Sequence, residues 1–444
     1  MNRAERRRTE RRSGHSAAAN LTHAIRRQRA GDLQAAEASY LARLRSRADD
    51  PDALHFLGVL RHQQQRSEEA IALITQALEI APHYVDAWNN LGNVHKQSGH
   101  LERAEQAYRR ALALDPAHAG AWNNLGVVLA ATRRTGEAVD ALQEAIRLQP
   151  RMVDAYFNLG GAYRSCGTLR HAIGAYCRVL ELQPEHARAH EMLGRMLYLA
   201  GEHAAAASIF RSWAEVDRDN PVPTHMLAAC SGENVPPRAS DAYVRATFDA
   251  FADSFDEMLL QRLDYHAPEL LGAALADVLG GGGAHDVLDA GCGTGLCGVL
   301  LRPHARVLVG VDLSPRMLAK ARTRGVYDEL VEAELGAFLG THRARFDVVA
   351  SADTFCYFGD LRAVIDATAV ALRPGGWLGF TVERSDEGDD YRINPHGRYS
   401  HARDYVVRLL EAADFGTIDV TGAVLRREAG VPVNGWVVRA RRAA

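Results

Sequence analysis

Two hydrophobic patterns divide the chain. As far as about residue 220, apolar residues recur at spacings of three and four, as on the buried stripe of an amphipathic helix. After about residue 285, short strand-like apolar runs alternate with helix-like segments, which is typical of a mostly parallel sheet covered by helices. The pattern therefore predicts an all-α region followed by an α/β domain.

The helical region repeats with a period of 34 residues. Asp86–Gly92 recurs as Gly120–Gly126 and again as Asp154–Gly160. Proline and alanine recur in the same frame, at Pro82, Pro116, Pro150 and Pro184, and at Ala70, Ala104, Ala138, Ala172 and Ala206. These positions resemble the tetratricopeptide (TPR) pattern. The resemblance covers residues 17–220 as about six units, and it implies an open superhelix whose end units are less regular caps.

One repeat position carries asparagine three times, at Asn90, Asn124 and Asn158. At 100° per residue this position faces away from the packing stripe. An amide both donates and accepts hydrogen bonds, which suits contact with a peptide backbone. The TPR resemblance implies the same, because asparagines on this helix line the peptide groove of that family. The alternative is that the three amides are solvated or bridge neighbouring repeats.

The repeat phase is lost between residues 217 and 240, where prolines and glycines cluster. We expect a linker over 221–240 and a domain from 241 to 444. Helical spacing resumes at Asp241, with an acidic face opposite an apolar stripe. This helix either packs with its acidic face in solvent or covers a ligand pocket with Phe251 or Phe255.

The α/β region has a glycine-rich turn after its first strand. The run Asp286–Ala290 ends in the turn Gly291-Cys-Gly-Thr-Gly295, and Asp312 ends the second run. Glycines at this spacing let a ligand lie against bare backbone. In parallel sheets, ligands bind beyond the carboxyl ends of the strands, where an acid such as Asp312 can accept hydrogen bonds from ribose hydroxyls. The sequence therefore predicts a nucleotide-like ligand at this edge.

The wider set of motifs resembles class I S-adenosylmethionine-dependent methyltransferases. The motifs are Val287–Gly295, Val309–Ser314, Phe346–Val349 and the turn Leu372–Gly376, and they follow in that family's order. The resemblance covers about 241–444 and implies a Rossmann-like, seven-stranded, mostly parallel sheet. An alternative is a nicotinamide-dependent oxidoreductase, because Gly293-x-Gly295-x-x-Gly298 also matches the dinucleotide pattern.

The resemblance implies S-adenosylmethionine as the cofactor and assigns residues to it. They are Asp289, Gly291, Gly293, Gly295, Asp312, Met317, Glu334 and Ser351. Of these, Asp289 is expected to take the methionine ammonium, directly or through water, and Met317 to pack on adenine. Glu334 stands where the family usually has aspartate.

Several polar residues near the later strand ends are candidates for the acceptor side. Tyr357, Glu383 and His401 are the candidate catalytic residues, since an acceptor that carries a proton has to lose it. Arg384, Arg398 and Tyr399 are candidates for binding the acceptor. Ser400 or His401 could instead cap a helix that opens there.

Composition limits the remaining functions. The net charge of −3 predicts no general nucleic-acid surface. The six cysteines are scattered, so we expect reduced thiols, no metal site and a cytoplasmic protein. No apolar run approaches the ~20 residues needed to span a membrane. The arginine-rich residues 1–16 are expected to be a disordered tail.

These observations favour a TPR array that binds a peptide or protein, joined to a methyltransferase. The bound chain is then either the substrate or a partner that recruits the enzyme, and a small-molecule acceptor stays possible. The rival hypotheses are a scaffold that binds cofactor without turnover and, less favoured, the oxidoreductase.

Overall fold

The computed structural model describes residues 21–280, 282–428 and 430–444. The expected basic tail, residues 1–16, lies outside them. The chain divides into two compact units, one ending at Ala189 and the other beginning at His190. The domain bounds expected at 220 and 241 stay a prediction.

Paired antiparallel helices form the N-terminal region. The helices are α1 (21–29), α2 (Leu33–Ser46), α3 (Pro51–Gln63), α4 (Ser67–Ile80), α5 (Val85–Gln97), α6 (Leu101–Leu114), α7 (Ala119–Ala131), α8 (Thr135–Leu148), α9 (Val153–Ser165), α10 (Leu169–Leu182), α11 (Ala187–Leu199) and α12 (His203–Val216). The TPR prediction is confirmed for this region.

The recurring residues of each repeat contact one another. A Cβ atom added at Gly92 would lie 2.5 Å from the Tyr108 ring, and one at Gly160 would lie 2.7 Å from the Tyr176 ring. The glycine therefore lets the two helices of a repeat approach closely. The indole N–H of Trp88 donates to the carbonyl of Pro82 at 2.9 Å. Residues recur in the sequence at these positions because equivalent contacts recur in successive repeats.

The expected linker contains a helix, α13 (Pro221–Ser231), so the prediction of irregular structure there is wrong for these residues. Asn220 caps its start by accepting a hydrogen bond from the Val222 N–H at 3.0 Å, and Pro221 occupies the first turn. Gly232 ends the helix in the left-handed conformation. Proline and glycine here mark the two ends of a helix rather than its absence.

A nine-stranded sheet forms the core of the C-terminal region. Its strands are β1 (His285–Ala290), β2 (Ala305–Asp312), β3 (Glu329–Glu332), β4 (Phe346–Ser351), β5 (Leu372–Arg384), β6 (Tyr391–Ile393), β7 (Tyr399–His401), β8 (Phe415–Glu428) and β9 (Val431–Arg442). The order β3-β2-β1-β4-β5 is parallel, β9 pairs antiparallel with β5, and β8 pairs with β9.

Eight further helices of the described residues pack against the sheet or over the carboxyl ends of its strands. They are α14 (Asp241–Phe251), α15 (Phe255–Arg262), α16 (Ala267–Leu279), α17 (Leu296–Leu301), α18 (Pro315–Arg324), α19 (Leu335–Thr341), α20 (Arg362–Ala371) and α21 (Arg403–Ala412). The predicted fold class is confirmed, and the seven expected strands are all present. The two further strands are the short β6 and β7, each of three residues.

Residues 399–401 form strand β7 rather than the start of a helix. Ser400 and His401 pair in parallel with Glu383 and Arg384, the last two residues of β5. The following helix begins at Arg403, and Ala402 is its cap. The prediction that Ser400 or His401 caps this helix is therefore wrong.

Candidate active site

The glycine turn after β1 is shaped by three glycines with positive φ, at 78° for Gly291, 52° for Gly293 and 87° for Gly295. Residues that carry a side chain rarely adopt this backbone conformation. A Cβ at Gly291 would lie 2.1 Å from the Thr354 Oγ1 atom, so this glycine is needed for packing. A Cβ at Gly293 would meet nothing nearer than the Phe255 ring at 4.0 Å. Gly293 therefore presents bare backbone to open space.

Asp312, the last residue of β2, holds this turn in place. Its Oδ2 atom accepts the Gly293 N–H at 2.9 Å, and its Oδ1 atom accepts the Ser314 N–H at 2.8 Å. Burial raises the pKa of Asp312 despite these hydrogen bonds. Asp312 as a residue is partly exposed and lines the pocket described below, so the remaining lone pairs of its carboxylate can accept hydrogen bonds from a ligand.

Asp289 lies beneath the turn and is 1% exposed. The Tyr327 hydroxyl donates to its Oδ2 atom at 2.6 Å, while its Oδ1 atom is buried without a partner among the described residues. Burial raises the pKa of Asp289 to about 7, and the nearby Asp312 carboxylate adds to the increase. A buried oxygen without a partner costs free energy unless a ligand or water supplies a donor.

A pocket of about 120 Å³ lies between these residues and the first helices of the domain; we call it the glycine-loop pocket. Gly291, Gly293, Asp312 and Glu334 line it. The carboxylate of Glu334 also caps α19 by accepting the N–H groups of two residues in its first turn. The pocket thus gathers the ends of β1, β2 and β3.

Four of the predicted cofactor residues are not among the described residues that line the pocket: Asp289, Gly295, Met317 and Ser351. Met317 is fully buried, and its N–H donates to the Ser314 cap of α18 at 3.1 Å, so the adenine contact assigned to it stays a prediction. Leu313 and Leu335 line the pocket in its place. Ser351 donates to the Ala290 carbonyl at 2.9 Å and joins β4 to β1.

Helices α14 and α15 cover the glycine-loop pocket with Phe248, Phe255 and Leu259. Their acidic side stays partly in solvent, since the side chains of Asp253 and Asp256 are 72% and 44% exposed. Asp253 pairs with Arg316 at 2.6 Å and with Lys320 at 3.3 Å on α18. Phe255 lines the pocket, as the covering alternative expects, while the acidic face keeps the partial exposure that the other alternative expects.

Further hydrogen bonds and an ion pair join helices α14 and α15, the cover of the pocket, to the residues that form the site. Asp256 accepts a hydrogen bond from the Thr294 hydroxyl of the glycine turn and pairs with Arg324. Asp249 accepts from the Ser314 hydroxyl at 2.5 Å. The cover is therefore hydrogen-bonded to the same segment that Asp312 organises.

The candidate catalytic residues occupy different environments. Tyr357 lines the pocket, with its ring edge-to-face against Phe248 at 5.4 Å, and burial raises its pKa. His401 does not reach the pocket: it is fully buried, and its Nε2–H donates to the Phe358 and Gly359 carbonyls at 2.9 and 3.0 Å. Burial lowers the pKa of His401 to about 4. A neutral histidine fixed between two carbonyls stabilises β7 and has no access to an acceptor.

Glu383 also faces away from the glycine-loop pocket, because it belongs to a buried ion-pair network with Asp353, Arg398, Arg426 and Glu428. Arg426 donates to Asp353 at 2.6 Å, to Glu428 at 2.8 Å and to Glu383. Arg398 donates to Glu383 at 2.6 Å and to Glu428. The cationic partners hold the pKa of Glu383 well below its usual range, against the opposing effect of burial. Glu383 is thus a paired carboxylate rather than a free base.

The predicted acceptor-binding residues also separate. Arg398 belongs to the ion-pair network, whereas Arg384 is exposed, pairs with Asp386 at 2.5 Å and stacks over Trp436. Tyr399 is fully buried and donates to the Pro236 carbonyl at 2.7 Å.

Sequence reasoning did not identify two residues of the site, Arg426 in the ion-pair network and Tyr327 beside Asp289. Nothing in the local sequence distinguishes Arg426 from the other arginines of this arginine-rich chain.

The three asparagines of the array bridge neighbouring repeats. Asn158 Nδ2 donates to Asn123 Oδ1 at 2.9 Å, and Asn124 Nδ2 donates to Asn89 Oδ1 at 3.0 Å. Asn90 Nδ2 lies 2.8 Å from His55 Nε2. Each contact joins residues 35 apart. We call this series the asparagine ladder, and it corresponds to the bridging alternative.

Neither a metal site nor a membrane helix is found among the residues that the structure describes. No group of three or more His, Cys, Asp or Glu side chains in these ranges could hold a metal ion. No helix there combines the length and the apolar character that crossing a bilayer requires.

Family models match both regions. The model described as "Cilia and flagella-associated protein 70 C-terminal domain" matches residues 2–243, and the one described as "Methyltransferase domain" matches residues 287–376. The second match includes the glycine turn and so assigns that turn to a methyltransferase rather than to an oxidoreductase.

Curated relatives are similar to the C-terminal region. The ubiquinone biosynthesis O-methyltransferase of Thiobacillus denitrificans is 30% identical over 185 residues, which cover 36% of this chain and 78% of the relative. The malonyl-[acyl-carrier protein] O-methyltransferase of Enterobacter lignolyticus is 35% identical over 106 residues, covering 24% of this chain and 42% of the relative.

Solved structures are similar to part of the chain. MamA is 27% identical with a TM-score of 0.35, covering 36% of this chain and 95% of its own. YrrB, whose structure is described as a TPR protein with an unusual peptide-binding site, is 22% identical with a TM-score of 0.36, covering 42% of this chain and 96% of its own.

On the family matches above, the chain belongs to the family described as the cilia and flagella-associated protein 70 C-terminal domain, and it joins this TPR array to a C-terminal methyltransferase domain.

Proposed function

We propose that the chain transfers a methyl group from S-adenosylmethionine to an acceptor at the carboxyl ends of β1, β2 and β4. The observation that carries this proposal is the glycine-loop pocket, where the open backbone of Gly293 and the carboxylates of Asp312 and Glu334 meet. The unpartnered Oδ1 atom of Asp289 also fits a cationic ligand group, reached directly or through water. When bound, this cofactor supplies a methyl group on a positively charged sulfur.

The residues of the site divide the work of holding the cofactor. Asp312 would accept hydrogen bonds from the ribose hydroxyls, and Asp289 would favour the methionine ammonium. Glu334, with Leu313 and Leu335, would bind adenine. Phe248, Phe255 and Leu259 exclude water from the pocket, which strengthens these electrostatic contacts.

The chain's part in the transfer itself is alignment. In the transfer, the acceptor would gain the methyl group, the electron pair of the broken carbon–sulfur bond would stay with the cofactor, and the acceptor proton would pass to water. Holding the acceptor in line can supply several kcal/mol of the lowering of the barrier. Tyr357 would contact the acceptor, and its position in the pocket lining beside Phe248 supports this role.

Calorimetry on the full chain tests cofactor binding, with S-adenosylhomocysteine and NAD as ligands. We expect S-adenosylhomocysteine to bind and Asp312→Ala to weaken it by roughly tenfold to a hundredfold, because a charged hydrogen-bond acceptor is lost. Asp366→Ala, an exposed change on α20, is the matched control and should not alter binding. Preference for NAD, or equal affinity of wild type and Asp312→Ala, would contradict the proposal.

Turnover is tested separately, because a scaffold could bind cofactor without reaction. We expect isotope from methyl-labelled S-adenosylmethionine to enter a product when the chain is added to cell extract, and Asp312→Ala to abolish it. Binding of S-adenosylhomocysteine with no labelled product across many extracts would favour the scaffold. Mass spectrometry of the labelled product then identifies the acceptor.

We also propose that the array binds an extended peptide, from either a substrate or a recruiting protein. The ladder uses one N–H of each asparagine, and an amide has a second N–H and an oxygen with two lone pairs. Peptide display on the full chain is the test, with Asn124→Ala and Asn158→Ala against Asp140→Ala on α8 as control. Unchanged peptide affinity in the asparagine variants would remove the ladder from the binding surface.

A further inference from the structure

A second cavity, with a volume of about 400 Å³, adjoins the glycine-loop pocket; we call it the aromatic chamber. The two cavities share the side chains of Phe248, Phe255, Leu259, Tyr265, Asp353 and Tyr357. Since one set of residues lines both cavities, a molecule in the chamber lies next to whatever occupies the pocket. A volume of this size suits a small organic molecule.

Aromatic and other apolar side chains form most of the chamber wall. They come from the last repeat-like helices as well as from the methyltransferase domain: Tyr198 on α11, Trp213 on α12, Met226 on α13 and Phe251 on α14. At the border with the pocket, Phe248 packs edge-to-face with Phe255 at 5.9 Å and with Tyr357 at 5.4 Å. A flat ring would extend this edge-to-face group.

The charged residues of the chamber wall balance one another. Three arginines and three carboxylates line it. Arg195 pairs with Glu191 at 3.1 Å, Arg426 pairs with Asp353 at 2.6 Å, and Arg398 pairs with Glu428.

One further carboxylate, Glu383, lies behind the wall and accepts hydrogen bonds from both Arg398 and Arg426. His396 also lines the chamber, and its Nε2 atom lies 3.2 Å from Glu383, behind the wall. An anionic ligand would meet arginines that already face carboxylates, and a cationic ligand would meet carboxylates that already face arginines. A charged molecule would lose its hydration without gaining a free counter-ion. The chamber therefore favours a molecule without net charge.

We propose that the aromatic chamber is the acceptor site and takes a neutral, largely apolar aromatic molecule. This proposal rests on the proposed methyl transfer, because it places the acceptor beside the cofactor pocket. The acceptor enters past the helices α11–α14, and its reacting heteroatom lies near Tyr357 and Asp353, which face both cavities.

Calorimetry with matched ring probes tests the chamber in the full chain saturated with S-adenosylhomocysteine. The probes are 2-naphthol, which is neutral, 2-naphthoate, which is anionic, and 2-naphthylmethylammonium, which is cationic. We expect 2-naphthol to bind at least about tenfold more tightly than either charged probe, because burying an uncompensated charge is costly. Equal or tighter binding of a charged probe would overturn the assignment of a neutral acceptor.

A substitution that fills the chamber locates the binding. Thr247 lines the chamber but not the glycine-loop pocket. We expect Thr247→Trp to weaken 2-naphthol binding about tenfold or more and to leave S-adenosylhomocysteine binding unchanged. Ala250→Trp, an exposed change on the same helix, is the matched control and should change neither.

The outcomes separate this proposal from the proposed function. If S-adenosylhomocysteine binds but 2-naphthol does not, or if Thr247→Trp leaves 2-naphthol binding intact, the acceptor assignment fails while the cofactor assignment stands. If S-adenosylhomocysteine does not bind to the wild type, the proposed function fails first. Bound S-adenosylhomocysteine also reports folding of Thr247→Trp, and Met226→Trp provides a second way to fill the chamber should that variant not fold.

Discussion

The TPR array and the methyltransferase domain stabilise themselves in different ways. In the array, the same contact recurs: Gly92 against Tyr108 is matched by Gly160 against Tyr176, and each ladder bond joins residues 35 apart. In the methyltransferase domain, each important contact occurs once and joins distant positions, as Arg426 joins Asp353 across 73 residues. Repetition spreads stability over equivalent sites, whereas unique contacts concentrate it.

The largest effect is expected where unique contacts concentrate. Arg426→Met should destabilise the methyltransferase domain by about 3–5 kcal/mol. The substitution removes a guanidinium that is only 3% exposed, and its carboxylate partners then stay buried without that positive charge. Thermal unfolding, with hydrogen exchange to locate the transition, measures it. Arg427→Met, at the exposed neighbouring side chain, should have little effect. Equal loss in both variants would show that the network does not concentrate stability.

Asp289 gives the second largest expected effect, through pH. Its pKa is raised to about 7 in the folded chain, from a usual value near 4. Between pH 4 and 7 the unfolded chain ionises while the folded chain keeps the proton, so the stability of the wild type falls as pH rises. We expect Asp289→Asn to remove this part of the fall, on the order of a few kcal/mol by linkage. Denaturant unfolding at several pH values provides the comparison, and parallel curves for the two proteins would contradict it.

A pair of neighbouring glycines tests the array. Gly160→Ala places a methyl group 2.7 Å from the Tyr176 ring and should destabilise the array by about 1–3 kcal/mol. Gly161→Ala is the control on the same helix: its methyl group would approach only the Tyr176 hydroxyl, at 4.0 Å. That variant should gain about 0.5–1 kcal/mol from helix propensity. The midpoint of thermal unfolding should therefore fall in Gly160→Ala and rise in Gly161→Ala. A shift of the same sign in both variants would refute the packing argument.

The smallest expected effect is the loss of one ladder bond. Asn158→Ala removes the 2.9 Å hydrogen bond to Asn123, which should cost about 1 kcal/mol at this half-buried site. Hydrogen exchange of α7 and α9 measures the local change. Equivalent bonds persist in the other repeats of this variant. A loss of stability as large as that expected for Arg426→Met would therefore contradict the difference proposed between the two regions.

The two regions also differ in how far their structure could be predicted. The repeat period predicted the helices and their packing because each contact leaves a recurring residue. The glycine turn and Asp312 were located because a ligand pocket at strand ends imposes a short local pattern. The same reasoning placed His401 in the pocket, although the extension of β5 draws residues 399–401 into the sheet. The resemblance to methyltransferases assigned an adenine contact to Met317, whose side chain is fully buried.

Other parts of the site leave no local pattern at all. Arg426 lies on β8, far along the chain from Asp353 and Glu383, and the pairing of β8 with β9 and of β9 with β5 brings them together. The asparagines were recognised as a series, but their direction could not be read from a single helix. Whether they face a peptide or a neighbouring repeat depends on the rise from one repeat to the next.

The asparagine ladder has a consequence for how such an array can evolve. The adjacent residues Asn123 and Asn124 give one repeat both an acceptor for the unit that follows and a donor to the unit before. A duplicated copy of this repeat would therefore carry both connections, whereas the next repeat has Phe157 at the acceptor position. The array could therefore lengthen or shorten by such a repeat with the hydrogen bonds to its neighbours intact.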